Sequence, residues 1–211
     1  TPGHYDAVGR AHANDNLSMR VFYTINDRNN DLGSAEKIIA ALETHSPDNE
    51  GLEFARFGYG ESVYLPMRAQ PFEVSQEDLD KFYAIVVAAA ENGWQLNEHS
   101  SRDVKIRAML DVFERVNETH PITDLRWTIA HNNTTSQESA QRAMDLGMMF
   151  AVHSSRRNVS AEQAQSGGED GLHQPPISTI DELGGIWGLG SDATTVASPN
   201  PMHTLGWAVS G

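Results

Sequence analysis

Apolar residues in this chain follow two alternating rhythms: short runs rich in β-branched and aromatic side chains, and longer stretches with helical spacing. The first short run, Leu17-Ser18-Met19-Arg20-Val21-Phe22-Tyr23-Thr24-Ile25, reads as a strand, and a helix-like stretch over 5–14 precedes it. Ser34 is placed to cap a helix over 35–42, in which Ile38, Ile39 and Leu42 share one face. A weaker strand is predicted over 52–57. Ser75 opens a helix in which Asp78 completes a capping-box variant. Leu79, Phe82, Tyr83, Val86 and Val87 form its apolar face. The second half keeps the same beat, with strand 94–97, helix 104–117, strand 126–130, helix 136–146 and strand 148–152. A polar stretch over 163–174, containing Gly167, Gly168 and Gly171, separates these from a short helix over 180–183 and a last strand over 185–190.

Strands that alternate with helices pair in parallel through right-handed crossovers, so the fold class is α/β. Six strands are enough for an open sheet and too few to close an eight-stranded barrel unaided. The chain has 211 residues, and no sequence repeat of 20–50 residues appears in it.

Composition narrows the functional classes. With 29 acidic and 15 basic side chains the formal charge is −14, and no basic stripe exists for phosphate recognition, so a nucleic-acid partner is not expected. No apolar run approaches the roughly 20 residues of a membrane span, and no membrane partner is expected. Cysteine is absent, which removes disulfides, thiolate metal sites and cysteine nucleophiles together. No charged-then-apolar signal segment opens the chain, and the expected location is cytoplasmic.

Nine histidines then carry most of the available chemistry. Three of them close consecutive predicted strands: His99 after 94–97, His131 after 126–130 and His153 after 148–152. Asp192 follows the strand over 185–190 in the same way. The carboxyl ends of parallel strands are where α/β folds build their sites. His99 and His131 lie about one β/α unit apart, and His131 and Asp192 about two. On strands n, n+1 and n+3 of one rim, two imidazoles and a carboxylate would suit zinc, manganese or iron. Asp192 could then serve both as ligand and as the base that takes a proton from water. A single histidine at a strand end is more often a structural hydrogen-bonder; three in succession followed by Ser191-Asp192 are harder to obtain by chance.

Two further signals are local. Asp103, four residues after His99, would either orient that imidazole or cap the helix that begins at Val104, and capping is the simpler reading. The stretch over 163–174 would be either a lid over the site or a surface connection.

These segments bring a family into view. Gly93-Trp94-Gln95-Leu96-Asn97-Glu98-His99-Ser100-Ser101-Arg102-Asp103, running on to Leu110-Asp111-Val112-Phe113-Glu114, resembles the fifth-strand histidine segment of YtcJ-like amidohydrolases. Arg126-Trp127-Thr128-Ile129-Ala130-His131 is similar to their sixth-strand segment, and Gly190-Ser191-Asp192-Ala193 to their eighth-strand signature. The resemblance covers roughly 80–211. It implies a TIM (β/α)8-type barrel and a metal-dependent hydrolase acting on an amide or other non-peptide C–N bond of a small molecule. It also implies one or two divalent ions, zinc foremost, held by His99, His131 and Asp192. His153 stands where the family more often has glutamine and becomes a candidate substrate contact.

Two departures from that family accompany the resemblance. No His-x-His pair occurs in the chain, although the family's first strand carries one. The resemblance therefore implies that this chain supplies roughly strands 3 to 8, as one partial domain over 1–211. It would be completed by an upstream part of the same polypeptide or act as a homo-oligomer. The fourth-strand lysine is missing as well, leaving Glu53, Glu61 or no residue in its place. A non-catalytic, barrel-like binding protein is the alternative that these departures keep open.

Overall fold

Six strands, β1 (Val21–Ile25), β2 (Phe54–Glu61), β3 (Gln95–Ser100), β4 (Thr128–His131), β5 (Met149–His153) and β6 (Trp187–Gly190), form one sheet in the computed structural model of the protein. The structure describes residues 5–26, 34–48, 53–68, 73–154, 173–192 and 197–210. Every neighbouring pair of strands is parallel, and the spatial order equals the chain order. A doubly wound open sheet reverses its strand order at a switch point. This sheet never reverses, so successive right-handed crossovers lay the helices along one side and curl the strands into a half-barrel of the TIM type.

The helices follow the chain as α1 (Asp6–Ala13), α2 (Ala35–Thr44), α3 (Leu65–Arg68), α4 (Gln76–Glu91), α5 (Asp103–Asn117), α6 (Gln137–Asp145), α7 (Ile177–Glu182) and α8 (Pro201–Ser210). Helices α2, α4, α5, α6 and α7 pack each against the next. Two begin as their sequence requires. The Ser75 hydroxyl accepts the Asp78 N–H, and the Ser136 hydroxyl accepts the Ser139 N–H, both at 3.1 Å. Ser34 departs from expectation. Its exposed hydroxyl donates to the Glu36 carboxylate at 3.1 Å and makes no cap bond, because a charged acceptor two residues away competes for it.

Strand β2 also departs from expectation, running four residues beyond the predicted end at 57. Its second half, Gly58-Tyr59-Gly60-Glu61, has little strand propensity of its own, and the partner strand supplies the reason for it. Gly60 has φ +131°, and a Cβ there would lie 1.9 Å from the Asn97 carbonyl oxygen of β3. Only glycine lets the two backbones approach so closely.

One side of the sheet meets the helices. Leu96, Ile129, Phe150 and Val152 point there with at most 1% of their surface exposed, together with Phe82, Ile85, Met109 and Leu110 from the helices. A row of rings crosses this layer, Tyr64 to Phe82 at 6.5 Å, Phe82 to Phe113 at 5.7 Å and Phe113 to Trp127 at 5.2 Å. The two tryptophans that precede β3 and β4 are buried, as their apolar bulk predicts, and each satisfies its indole N–H. Trp94 donates to the Leu42 carbonyl at 2.9 Å, and Trp127 to the Trp94 carbonyl at 2.8 Å. The predicted loop over 163–174 lies outside the described residues apart from His173 and Gln174.

Candidate metal centre

Parallel strands place their last residues side by side, and here Glu61, His131 and His153 end β2, β4 and β5, with His99 one residue before the end of β3. Register pairs Ser100 with His131, His131 with Val152 and His153 with Gly190, so β3, β4 and β5 end at nearly one height. The rings of His99 and His131 lie 3.9 Å apart between centroids, and those of His131 and His153 lie 4.6 Å apart, stacked within 25°.

Glu61, the last residue of β2, reaches into this row. Its Oε1 lies 3.6 Å from His99 Nδ1 and its Oε2 lies 3.2 Å from His131 Nε2. One ligand atom from each of the three residues can be chosen so that all lie within 4.8 Å of one another. Among the described residues this is the sole such group of three or more histidines or carboxylates. His131 first, and His99 second, hold the Glu61 carboxyl well below the usual carboxylate range by hydrogen bonding, against the effect of burial. Burial pushes His99 down, aided by the charges of His131 and Arg68 and opposed by Glu61. A charged carboxylate beside a neutral imidazole is the ligand form of each group. His99 Nδ1 is buried and is turned toward the Glu61 carboxylate, 3.6 Å from Oε1. Two nitrogen donors and one oxygen donor fit a divalent ion.

The predicted ligands therefore divide. His99 and His131 join Glu61, whereas Asp192, just beyond β6, lies against His153, with Oδ2 3.3 Å from Nε2. His153 is 7% exposed and sits between the His131 ring and that carboxylate. Burial pushes its pKa down and His131 adds to the effect, while Asp192 opposes both. Glu53, the other fourth-strand candidate, precedes β2 at the opposite end of the sheet and faces His12 at 3.7 Å. Both its partner and its exposure separate it from the row.

Backbone conformation marks the same rim. His131 (φ +76°), Asn132 (φ +48°) and Asp192 (φ +50°) adopt left-handed conformations, each costing about 1 kcal/mol or more outside glycine. Asn132 holds the turn after β4, a role absent from the sequence reading. Its N–H donates to the Ser100 carbonyl at 3.1 Å, and its amide donates to the Ile129 carbonyl at 2.7 Å. Thr135 donates to the same side chain's Oδ1 at 3.2 Å. The signal available in the sequence is Asn132-Asn133 directly after the strand, because asparagine tolerates this conformation best after glycine.

Asp103 neither orients His99 nor caps its own helix. Its carboxylate accepts the Ser136 N–H at 2.8 Å, ahead of α6, and pairs with Arg107 at 2.8 Å. It thus joins the β3–α5 turn to the β4–α6 turn. Behind the rim, Glu98 is 1% exposed, and its Oε2 accepts the Val63 N–H at 3.0 Å. Burial pushes its carboxyl well above the usual range, opposed by that bond and by the charge of Arg68.

The sequential parallel half-barrel is a fold that known proteins share. The sequence profile of the amidohydrolase family matches residues 2–211, and the chain belongs to that family. Two solved structures of similar fold are uncharacterized metal-dependent hydrolases from Pyrococcus horikoshii and Pyrococcus furiosus, each at 15% identity and TM-score 0.64. The matches cover 97% and 95% of this chain, respectively, and 42% of each of those chains. A third is a mutant of atrazine chlorohydrolase from Arthrobacter aurescens, complexed with zinc and atraton, at 14% identity and TM-score 0.53. That match covers 92% of this chain and 42% of that one. At such identities the likeness is one of fold, and the chain spans less than half the length of these neighbours. No protein of curated function matches the chain. Among the described residues no helix is long and apolar enough to cross a membrane.

Proposed function

We propose that this chain forms the cation-binding rim of a metal-dependent hydrolase that cleaves an amide or other non-peptide C–N bond of a small molecule. The observation that carries the proposal is the convergence of Glu61, His99 and His131 from three adjacent strands. A divalent ion held there, zinc in the first instance, would supply Lewis acidity toward a carbonyl and lower the pKa of water to about 7.

The chain's own residues divide the remaining work. Glu61, His99 and His131 hold the ion. Asp192 is the base, and its carboxylate at the end of the row accepts the proton that the attacking water gives up. His153 holds that carboxylate through its Nε2, 3.3 Å from Asp192 Oδ2. Asp192 has the donor chemistry to join the ligand set as well, which would bring it closer to His131 than it stands here. Substrate recognition by His153 and the YtcJ-like resemblance belong to the same reading.

The test is paired. Zinc titration of the protein, followed by elemental analysis after dialysis, is expected to give bound metal. Asp192→Asn is expected to retain zinc while hydrolysis of N-acyl and cyclic amide substrates by the complete protein is lost. A correctly folded protein that binds no divalent metal would favour the non-catalytic binding protein over the enzyme.

A further inference from the structure

We propose that Glu98 is a positioning residue for the cation site, holding Glu61 in place from the opposite face of the sheet. The inference rests on the reading of Glu61, His99 and His131 as that site. Successive strand residues point to opposite faces, and β3 alternates between half-buried and fully buried positions along its whole length. His99 therefore faces the rim, and Glu98 faces the helices. In register Glu98 lies beside Glu61 of β2. Its carboxylate spans to the backbone N–H of Val63, two residues past Glu61.

The segment so held is built to stay still. Ser62, Val63, Tyr64 and Met67 are buried, each at most 1% exposed. Arg68 donates to the Ser62 hydroxyl at 2.6 Å, Lys105 to the Pro66 carbonyl at 3.3 Å, and the Tyr64 hydroxyl to Asp78 at 2.8 Å. Of these side-chain anchors, Glu98 takes the backbone group closest to Glu61. Its other oxygen is buried without a hydrogen-bond partner, an arrangement unfavourable in an apolar wall. The sheet ladder fixes His99 within β3, and the Asn132 turn steadies His131, the last residue of β4. Glu61 stands at the very end of β2, where the ladder stops, so a separate hold on the next residues determines where its carboxylate sits. Glu98 and His99, adjacent in sequence, thus place two of the three ligands from one strand.

The hold depends on reach, which separates two conservative replacements. Glu98→Gln keeps the length and an acceptor oxygen; Glu98→Asp keeps the carboxyl group and falls one methylene short. With zinc alone as the probe, calorimetric titration of the full chain should show Glu98→Gln within about twofold of the natural protein. Glu98→Asp should bind roughly 10- to 100-fold more weakly, the range seen when a group supporting a ligand is lost. Val86→Ala in α4 serves as a control that loosens the core away from the rim and should leave zinc affinity unchanged. Natural-strength binding by Glu98→Asp overturns the inference while leaving the cation site standing. So does an equal loss in Gln and Asp, or in Asp and the Val86→Ala control. Absence of zinc binding in the natural protein removes the site and this inference together.

Discussion

The two faces of the sheet differ in kind. The face under the helices is apolar and closed, with Leu96, Ile129, Phe150 and Val152 locked beneath α4, α5 and α6. The inner face and its rim carry His99, His131, His153 and Asp192, and two of those four adopt left-handed backbone conformations. Stability is gathered on one side of a strand, and strain and polarity on the other. A strand four to six residues long can do both because its side chains alternate. Glu98 joins the faces, a polar group on the apolar side whose hold, on the inference above, reaches the rim.

That contrast can be broken from either side. Trp127→Ala removes a ring packed on Phe113 and the bond to the Trp94 carbonyl. It should lower unfolding free energy by about 3–5 kcal/mol in urea titration. A cost below about 1 kcal/mol would show that the apolar face does not carry the stability. On the rim, His131→Ala should weaken zinc binding beyond the roughly 100-fold upper range of supporting contacts, yet change the urea midpoint much less than Trp127→Ala. Equal destabilisation by the two variants would erase the division between the faces.

Smaller effects sharpen the comparison. Asp103→Ala strips the Ser136 N–H of its acceptor and should cost about 1 kcal/mol, in the range of a lost helix cap. Zinc affinity should stay within a fewfold, since Asp103 touches no imidazole of the row. Arg142→Ala breaks a two-pronged bond to Glu114 and a pair with Asp111, linking α5 to α6 on the outer surface. Its expected cost is about 1 kcal/mol or less, shrinking as salt is raised. An undiminished cost in high salt would mean that packing of the arginine stem, and not charge, holds the two helices.

Much of the architecture was legible because pattern and propensity agree. The strands around Ile129 and Phe150 carry β-branched or aromatic residues and flank α6, which Ser136 caps, so both signals point the same way. Strand β2 was legible only in its first half, since Gly58 and Gly60 look like a turn until β3 is laid beside them. For that reason Glu61 could be named as one option beside Glu53 but not chosen. The positions of His99, His131, His153 and Asp192 at strand ends could be read from spacing. Their partners could not, because whether Asp192 meets His153 or His131 depends on side-chain direction and sheet register. Asp103 shows the same limit, as its bond runs to a turn 33 residues away. Local rules name the helix nearest in sequence and cannot see the one nearest in space.

The strand order has a consequence for the distances at the rim. Each donor comes from its own strand, so neighbouring donors inherit the spacing of the hydrogen-bond ladder, about 4.8 Å between strands. The ladder sets the scale of the row, in which the ring separations are 3.9 and 4.6 Å. Exchanging one donor type for another leaves that scale untouched, whereas bending the sheet rescales every interval at once. For the cation site proposed above, backbone geometry would set the ion size that fits, and the side chains mounted on it the ion chemistry.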